Sequence, residues 1–434
     1  MQNGLSAAEI VKIAANDGGA RSLGTVVINS RGLMQNGLSA AEIVKIAAND
    51  GGALALAAII DHRPALIEAG LSDADLVKIA ANNGGAPALR AVVSHHRELM
   101  QVGFDLADIV KIAANNGGAS ALRAVISHRQ ELIQAGFDLA DIVKIAANIG
   151  GAQALKAIIT HGPVLEQASF IAVDIVKMAA KGGGAQTLPA VIFYAAALSQ
   201  AGFSSIDIVK IASNEGGAQA LQAVTICGPK LAATGFSAVD IAKIAASGGG
   251  AQALRAAVTH GPKLQQAGLS VVDIAKIAAN SGGSQALQAV ITHSSALLQA
   301  GFNAAEIVKI AANSGGSRAL LAVITHSSAL LQAGFNAAEI VKIAANSGGS
   351  RALQAVITHS SALMQAGLNV AEIVKIAGNS GGAKTLEAVI TLGSALEQGG
   401  YGHEHIVKLA SQHPGAASAL ERASGTIQKA DPNL

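Results

Sequence analysis

A ten-residue phrase at Ile10–Gly19, IVKIAANDGG, returns at Ile43–Gly52 and then at every 33rd residue up to Ile373, with a degraded copy at Ile406. This fixed step overrides the two or three globular domains that 434 residues would otherwise suggest. A unit this small cannot bury an apolar face alone, so successive units must stack into one quasi-linear array. Residues 1–4 read MQNG, as Met34–Gly37 do at the end of the first full unit, and are expected to be the end of a truncated repeat from a longer array upstream. Twelve full units occupy 5–400, the first starting at Leu5 and the last at Leu368. Residues 401–434 form a divergent C-terminal capping repeat and tail, with Ser411–Gly415 (SQHPG) in place of the usual turn.

Each unit reads as two helices. Its second residue is usually Ser, Asp or Asn, and its fifth is acidic throughout the full units, as in Ser39 and Glu42. Ser-x-x-Glu is the spacing of a capping box, in which two side chains satisfy free amides at a helix start. A first helix of about nine residues carries Ile, Val, Ile and Ala inward. Gly-Gly closes it, because glycine tolerates the left-handed turn at a helix end. A second, longer helix runs to the last residue of the unit, which is Gly in all full units but one, the exception being Ser169. The expected fold class is all-α, a right-handed superhelical solenoid of 33-residue two-helix repeats.

Hydrophobic residues make up 51% of the chain and aromatics 2%, which suits thin layers of closely packed helices. Mean hydropathy is +0.43, but polar residues such as Asn280, Ser281 and His293 interrupt even the least charged stretch. No apolar run reaches the ~20 residues that a membrane-spanning helix needs. No membrane partner is expected, and no signal peptide is read at the start. The one cysteine, Cys227, has no partner for an intrachain disulfide, in keeping with an intracellular, reducing compartment.

Enzyme chemistry finds no foothold. Eight of the twelve His residues share one repeat position, His62, His95, His128, His161, His260, His293, His326 and His359. Equivalent residues in stacked helices lie ~10 Å apart, too far to share a metal ion. Cys227 occupies the same position and belongs to that series. No cofactor, no metal and no small-molecule substrate is expected.

Two periodic features suit an anionic ligand. The Gly-Gly turns (Gly18 and Gly19, Gly51 and Gly52, Gly84 and Gly85, and their later counterparts) read as helix closures, but a row of them also presents backbone amides that bind anions. Each unit also places one Lys three residues after its acid, among them Lys12, Lys45, Lys78, Lys111 and Lys144. These lysines either pair with the acid on a solvated face or form a spiral stripe of phosphate contacts; spacing alone leaves both open. Further cations, Arg21, Arg318, Arg351 and Lys384, stand at the start of some second helices.

The residue before Gly-Gly changes freely inside this fixed frame: Asp17, Asp50, Asn83, Asn116, Ile149, Gly182, Glu215, Gly248, Ser281, Ser314, Ser347 and Ser380. A purely structural turn position would keep Asn, Gly or Asp, and Ile149 and Glu215 break that rule. Asp can accept from cytosine N4, Asn can donate to a purine N7, and Gly leaves room for a thymine methyl. The set reads as a menu of base-edge contacts, beside which neutral drift at an exposed loop stays open.

The 33-residue unit, its Ala-Ala-Asn triplet, the variable residue and the Gly-Gly pair resemble the DNA-binding repeats of transcription activator-like effectors, above all the effector-like proteins of bacteria outside the plant pathogens. The resemblance covers essentially residues 5–400. It implies binding of double-stranded DNA, with one base pair read per repeat in the major groove. The first residue of each loop pair would hold the loop against the first helix: Asn16, Asn49, Asn82, Asn115, Asn148, Lys181, Asn214, Ser247, Asn280, Asn313, Asn346 and Asn379. The twelve variable residues would read bases, implying a site of roughly C-C-R-R-A-T-N-T-N-N-N-N. Plant-pathogen repeats place Lys-Gln after Gly-Gly, where this chain has Ala or Ser and then a mixture, so the Lys of the first helix is a substitute phosphate contact under this reading. A monomer is expected. The competing expectation is a helical-repeat scaffold for protein partners.

Overall fold

The computed structural model describes residues 6–16, 19–35, 37–181, 183–346, 348–412 and 415–430. Among them there is no strand: 26 helices alternate between short and long, in the paired order that the 33-residue step predicts. No described helix is long and apolar enough to cross a membrane. The chain forms two compact stacks of repeats, Met1–Gln222 and Ala223–Leu434, divided within the long helix Gly217–Ala233. Within each stack, short helices pack on the long helix of their own unit and long helices pack on one another in succession, as from Gly52–Glu68 to Gly85–Gln101, which makes each stack an α-solenoid.

The third unit shows how sequence builds the layer. Ser72 has extended backbone and its hydroxyl accepts from the Asp75 amide, while Asp75 accepts in return from the Ser72 amide at 3.0 Å. The short helix Asp73–Ala80 follows and buries Leu76, Val77, Ile79 and Ala80, leaving Lys78 outside. The long helix Gly85–Gln101 buries Gly85, Ala86, Ala88, Leu89, Ala91, Val92 and Leu99. Small residues dominate its inner face, so the backbones of neighbouring helices can approach closely. The next unit's Phe104 then fills the space at the joint, being 2% exposed.

Both helices are shorter than the spacing alone suggests. The short one has eight residues, and the long one ends at Gln101, two residues before the unit's final Gly103. The cause is a Schellman closure: Gly103 adopts φ +99°, and the Phe104 and Gly103 amides donate to Leu99 O and Met100 O, each at 3.1 Å. Ser169, the exception at this position, is held at φ +66°, the one described non-glycine residue in the left-handed region.

Side-chain capping is the local feature that starts most of the short helices. The Ser39 amide and hydroxyl donate to Glu42 at 2.8 and 2.7 Å, and these donors hold the Glu42 carboxyl below the usual carboxylate range. A carboxylate favoured in the folded chain stabilises it above the unfolded group's pKa, and that support is lost as pH falls through the lower folded value. Ser39→Ala should cost about 1 kcal/mol at neutral pH. Denaturant melts at pH 7 and pH 3 are expected to show the difference between variant and parent shrinking at the acid end. An equal difference at both pH values would remove the carboxylate from this account.

Candidate nucleic-acid interface

The loop between the helices has one backbone design. In the third unit the Asn82 side-chain amide donates to Lys78 O at 2.6 Å, and the Gly85 amide donates to Asn82 O at 2.9 Å. Asn83 is thereby left at the loop tip, followed by Gly84 at φ +87°. The same side-chain bond runs from Asn16, Asn49, Asn115, Asn148, Asn214, Asn280, Asn313 and Asn346 to the carbonyl four residues earlier. Ser247 reaches Ile244 O instead, at 2.7 Å. Lys181 makes no such bond. Asn379 turns away from its own short helix and donates to Ser411 O of the divergent last unit at 3.1 Å.

The two glycines do different jobs. Gly84 supplies the left-handed turn, and a Cβ there would meet nothing within 4 Å. Gly85 has no positive φ; a Cβ there would lie 2.5 Å from Ala80 O and 2.7 Å from Ala80 Cα. The pair therefore turns the chain once and lets the long helix start against the backbone of the short one. Its amides are divided likewise. Those of Gly19, Gly52 and Gly85 are used inside the turn, donating to Asn16, Asn49 and Asn82 O. This corrects the expectation that both glycines offer amides to an anion: only the first of each pair, as at Gly51 and Gly84, is without a backbone acceptor.

Every described variable residue is exposed: Asp50, Asn83, Asn116, Ile149, Glu215, Gly248, Ser281, Ser314 and Ser380. None of these side chains makes a hydrogen bond or ion pair within the chain. Ile149 is 67% exposed, so packing does not account for it. Asp17, Gly18, Gly182 and Ser347 lie outside the described residues, as do residues 1–4 and 431–434. A β-carbon built on Gly248 would sit 3.9 Å from Ser281 Oγ, so the tips of the eighth and ninth units are immediate neighbours.

Three later loops share a surface. Ser314 and Gly315, Gly348 and Gly349, and Gly381 and Gly382 line an open groove of about 400 Å³, together with Arg318, Arg351 and Lys384. The three cations make no ion pair and no acidic side chain lines the groove. Each follows its variable residue by four positions.

The short-helix lysines divide into two groups. Lys177 pairs with Asp174 at 3.3 Å, and Lys276 with Asp273 at 3.7 Å. In the first case Ile171 stands at the cap and has no side chain to bond, so the acid is released to its lysine. Glu9, Glu42 and Asp75 are engaged by their Ser caps, and Lys12, Lys45 and Lys78 are exposed without an ion pair, as are Lys111 and Lys144.

Cys227 is buried, and burial pushes its thiol pKa up, against the opposing pull of Arg255 and Lys230. Among the described residues no three His, Cys, Asp or Glu side chains are placed to hold a metal ion. Two features escaped reading by motif. One is the unequal use of the glycines. The other is the inter-unit ion pair between Arg63 and Asp73, at 2.6 Å, which only a register of one unit's long helix against the next short helix could have suggested. No known protein family and no curated protein matches the chain.

Proposed function

We propose that the chain binds double-stranded DNA and reads its major groove, one base pair per repeat, through the residue before Gly-Gly. The observation that carries this reading is the state of the loop tips. Each described tip is exposed and unbonded, while the residue before it is in most units tied down by its own side-chain hydrogen bond. A rigid frame with a free, variable end is the arrangement that base readout requires, because phosphate contacts position a protein but carry no sequence information.

Asp17 and Asp50 accept from cytosine, Asn83 and Asn116 donate to a purine, and Gly182 and Gly248 leave room for thymine; the resemblance to the effector repeats adds adenine at Ile149. Ser281, Ser314, Ser347 and Ser380 read loosely. The exposed lysines of the short helices and the row Arg318, Arg351 and Lys384 supply backbone contacts.

Titration of the full chain with a duplex containing C-C-R-R-A-T-N-T tests the proposal. Affinity should fall steeply and linearly in log–log form as salt rises, because bound cations release counterions from DNA. No duplex binding at low salt would overturn it in favour of a protein-binding scaffold.

A further inference from the structure

The long helices carry a second set of cations that the loops do not explain. Counting from the start of each unit, Arg318, Arg351 and Lys384 stand at the seventeenth residue, where the third, fourth and fifth units have Pro87, Ser120 and Gln153. Those same three units carry Arg90, Arg123 and Lys156 at the twentieth residue. The tenth to twelfth units there have Leu321, Gln354 and Glu387. Across the twelve full units, eight have a cation at one of these two positions and none has it at both. In those eight units the charge is single, with its place on the helix exchanged. The two positions are three residues apart, so they share a helix face and differ by about 4.5 Å along the axis.

Structure adds a second observation. Arg90, Arg123 and Lys156 are all exposed, and none forms an ion pair. Between the long helices Gly118–Gln134 and Gly151–Gln167 lies an open groove of about 450 Å³. Arg123 and Lys156 flank it, and Ser120, Ser127, His128 and Gln153 line it, with no acidic side chain. Two cations from successive units, hydroxyl and amide donors between them, and no acid describe a surface for a chain of singly charged anions spaced along a backbone.

We infer that Arg90, Arg123 and Lys156 form a phosphate track that engages the sugar-phosphate backbone of the bound duplex, about 4.5 Å farther along the long helix from the loop tips than the track of Arg318, Arg351 and Lys384. The inference rests on the DNA-binding reading above. Long Arg and Lys side chains span the extra distance, and the third to fifth units thereby keep a backbone anchor despite lacking a cation next to their loops.

The test uses the full chain bearing R90Q, R123Q and K156Q together. Gln stands naturally at the equivalent Gln222, Gln288 and Gln354, so the helices should be retained, as circular dichroism will report. Kd for matched and mismatched duplexes is measured across a salt series. The slope of log K against log salt is expected to shrink by roughly 0.9 per lost contact, about 2.7 in all. The loss should be equal on matched and mismatched sites. A charge-conserving variant, R90K, R123K and K156R, should keep the parent slope. An unchanged slope in the Gln variant, or a reduced one in the charge-conserving variant, overturns the track. If the parent and an R318Q, R351Q and K384Q control show the expected salt behaviour in that case, the DNA-binding reading survives alone. If the parent binds no duplex, both readings fall.

Discussion

Replacing Gly85 by Ala should destabilise the third repeat by about 3 kcal/mol, whereas Gly84→Ala, one residue earlier, should cost about 1–2 kcal/mol. The two effects have different origins. At Gly84 there is open space and the penalty comes from holding a β-carbon at φ +87°. At Gly85 the backbone conformation is ordinary, but the added carbon would sit 2.5 Å from Ala80 O. That oxygen belongs to the preceding helix and not to a flexible side chain, so the start of the long helix must lift away from the end of the short one. Stability in a stacked array is approximately a sum over units and nearest-neighbour interfaces. Damage should therefore concentrate in the third unit and its neighbours. Amide hydrogen exchange should show protection lost across residues 71–103 in Gly85→Ala and largely kept in Gly84→Ala. Equal loss in both would mean that the close backbone approach does not limit stability.

Asp50→Gly should move the preference at the second base of the bound site from cytosine to thymine, by about 1–3 kcal/mol, or roughly 5- to 150-fold in relative affinity. The carboxylate accepts a hydrogen bond from the cytosine exocyclic amine. Glycine offers no acceptor, and its missing side chain makes room for the thymine methyl. Asp50 is well placed for a clean substitution. Its side chain is exposed and bonds to nothing in the chain, while the loop is held by Asn49 Nδ2 on Lys45 O at 2.6 Å. The Gly51 turn at φ +76° and the Gly52 contact are untouched by the change. Stability should therefore stay within a few tenths of a kcal/mol, as for exposed positions generally. Competition between duplexes that differ only at that base reads the result. A loss of affinity without a change of base preference would count against a one-residue, one-base code.

Much of the fold was legible because its signals are local. The 33-residue step gives the stacking, and Ser39 with Glu42 three residues later marks a helix start through backbone amides that need partners in any fold. The burial of Ile43, Val44, Ile46 and Ala47 follows from one helical face. The candidate site was legible for a similar reason, since variation confined to one position can be read by aligning the units. What could not be read depends on how elements meet. Glycine pairs look alike in sequence, yet Gly84 answers to φ and Gly85 to the proximity of Ala80. The lysines look alike too, yet Lys177 pairs with Asp174, whose helix has Ile171 at its cap, whereas Lys45 makes no ion pair beside Glu42, which Ser39 holds. Asn379 looks like a loop holder of the common kind, but the divergent last unit draws its side chain to Ser411 O. The cations Arg90, Arg123 and Lys156 carry no motif; they become a set only when their helix face and the groove between them are seen together.

Selection of bound duplexes from a random library by the full chain tests the central claim most directly. The expected result is an enriched site reading C-C-R-R-A-T-N-T in the order of the repeats, with preference fading over the next four positions, where Ser281, Ser314, Ser347 and Ser380 stand. A pool that binds yet shows no positional preference, or a preferred site whose order does not follow the loop-tip residues, would contradict it.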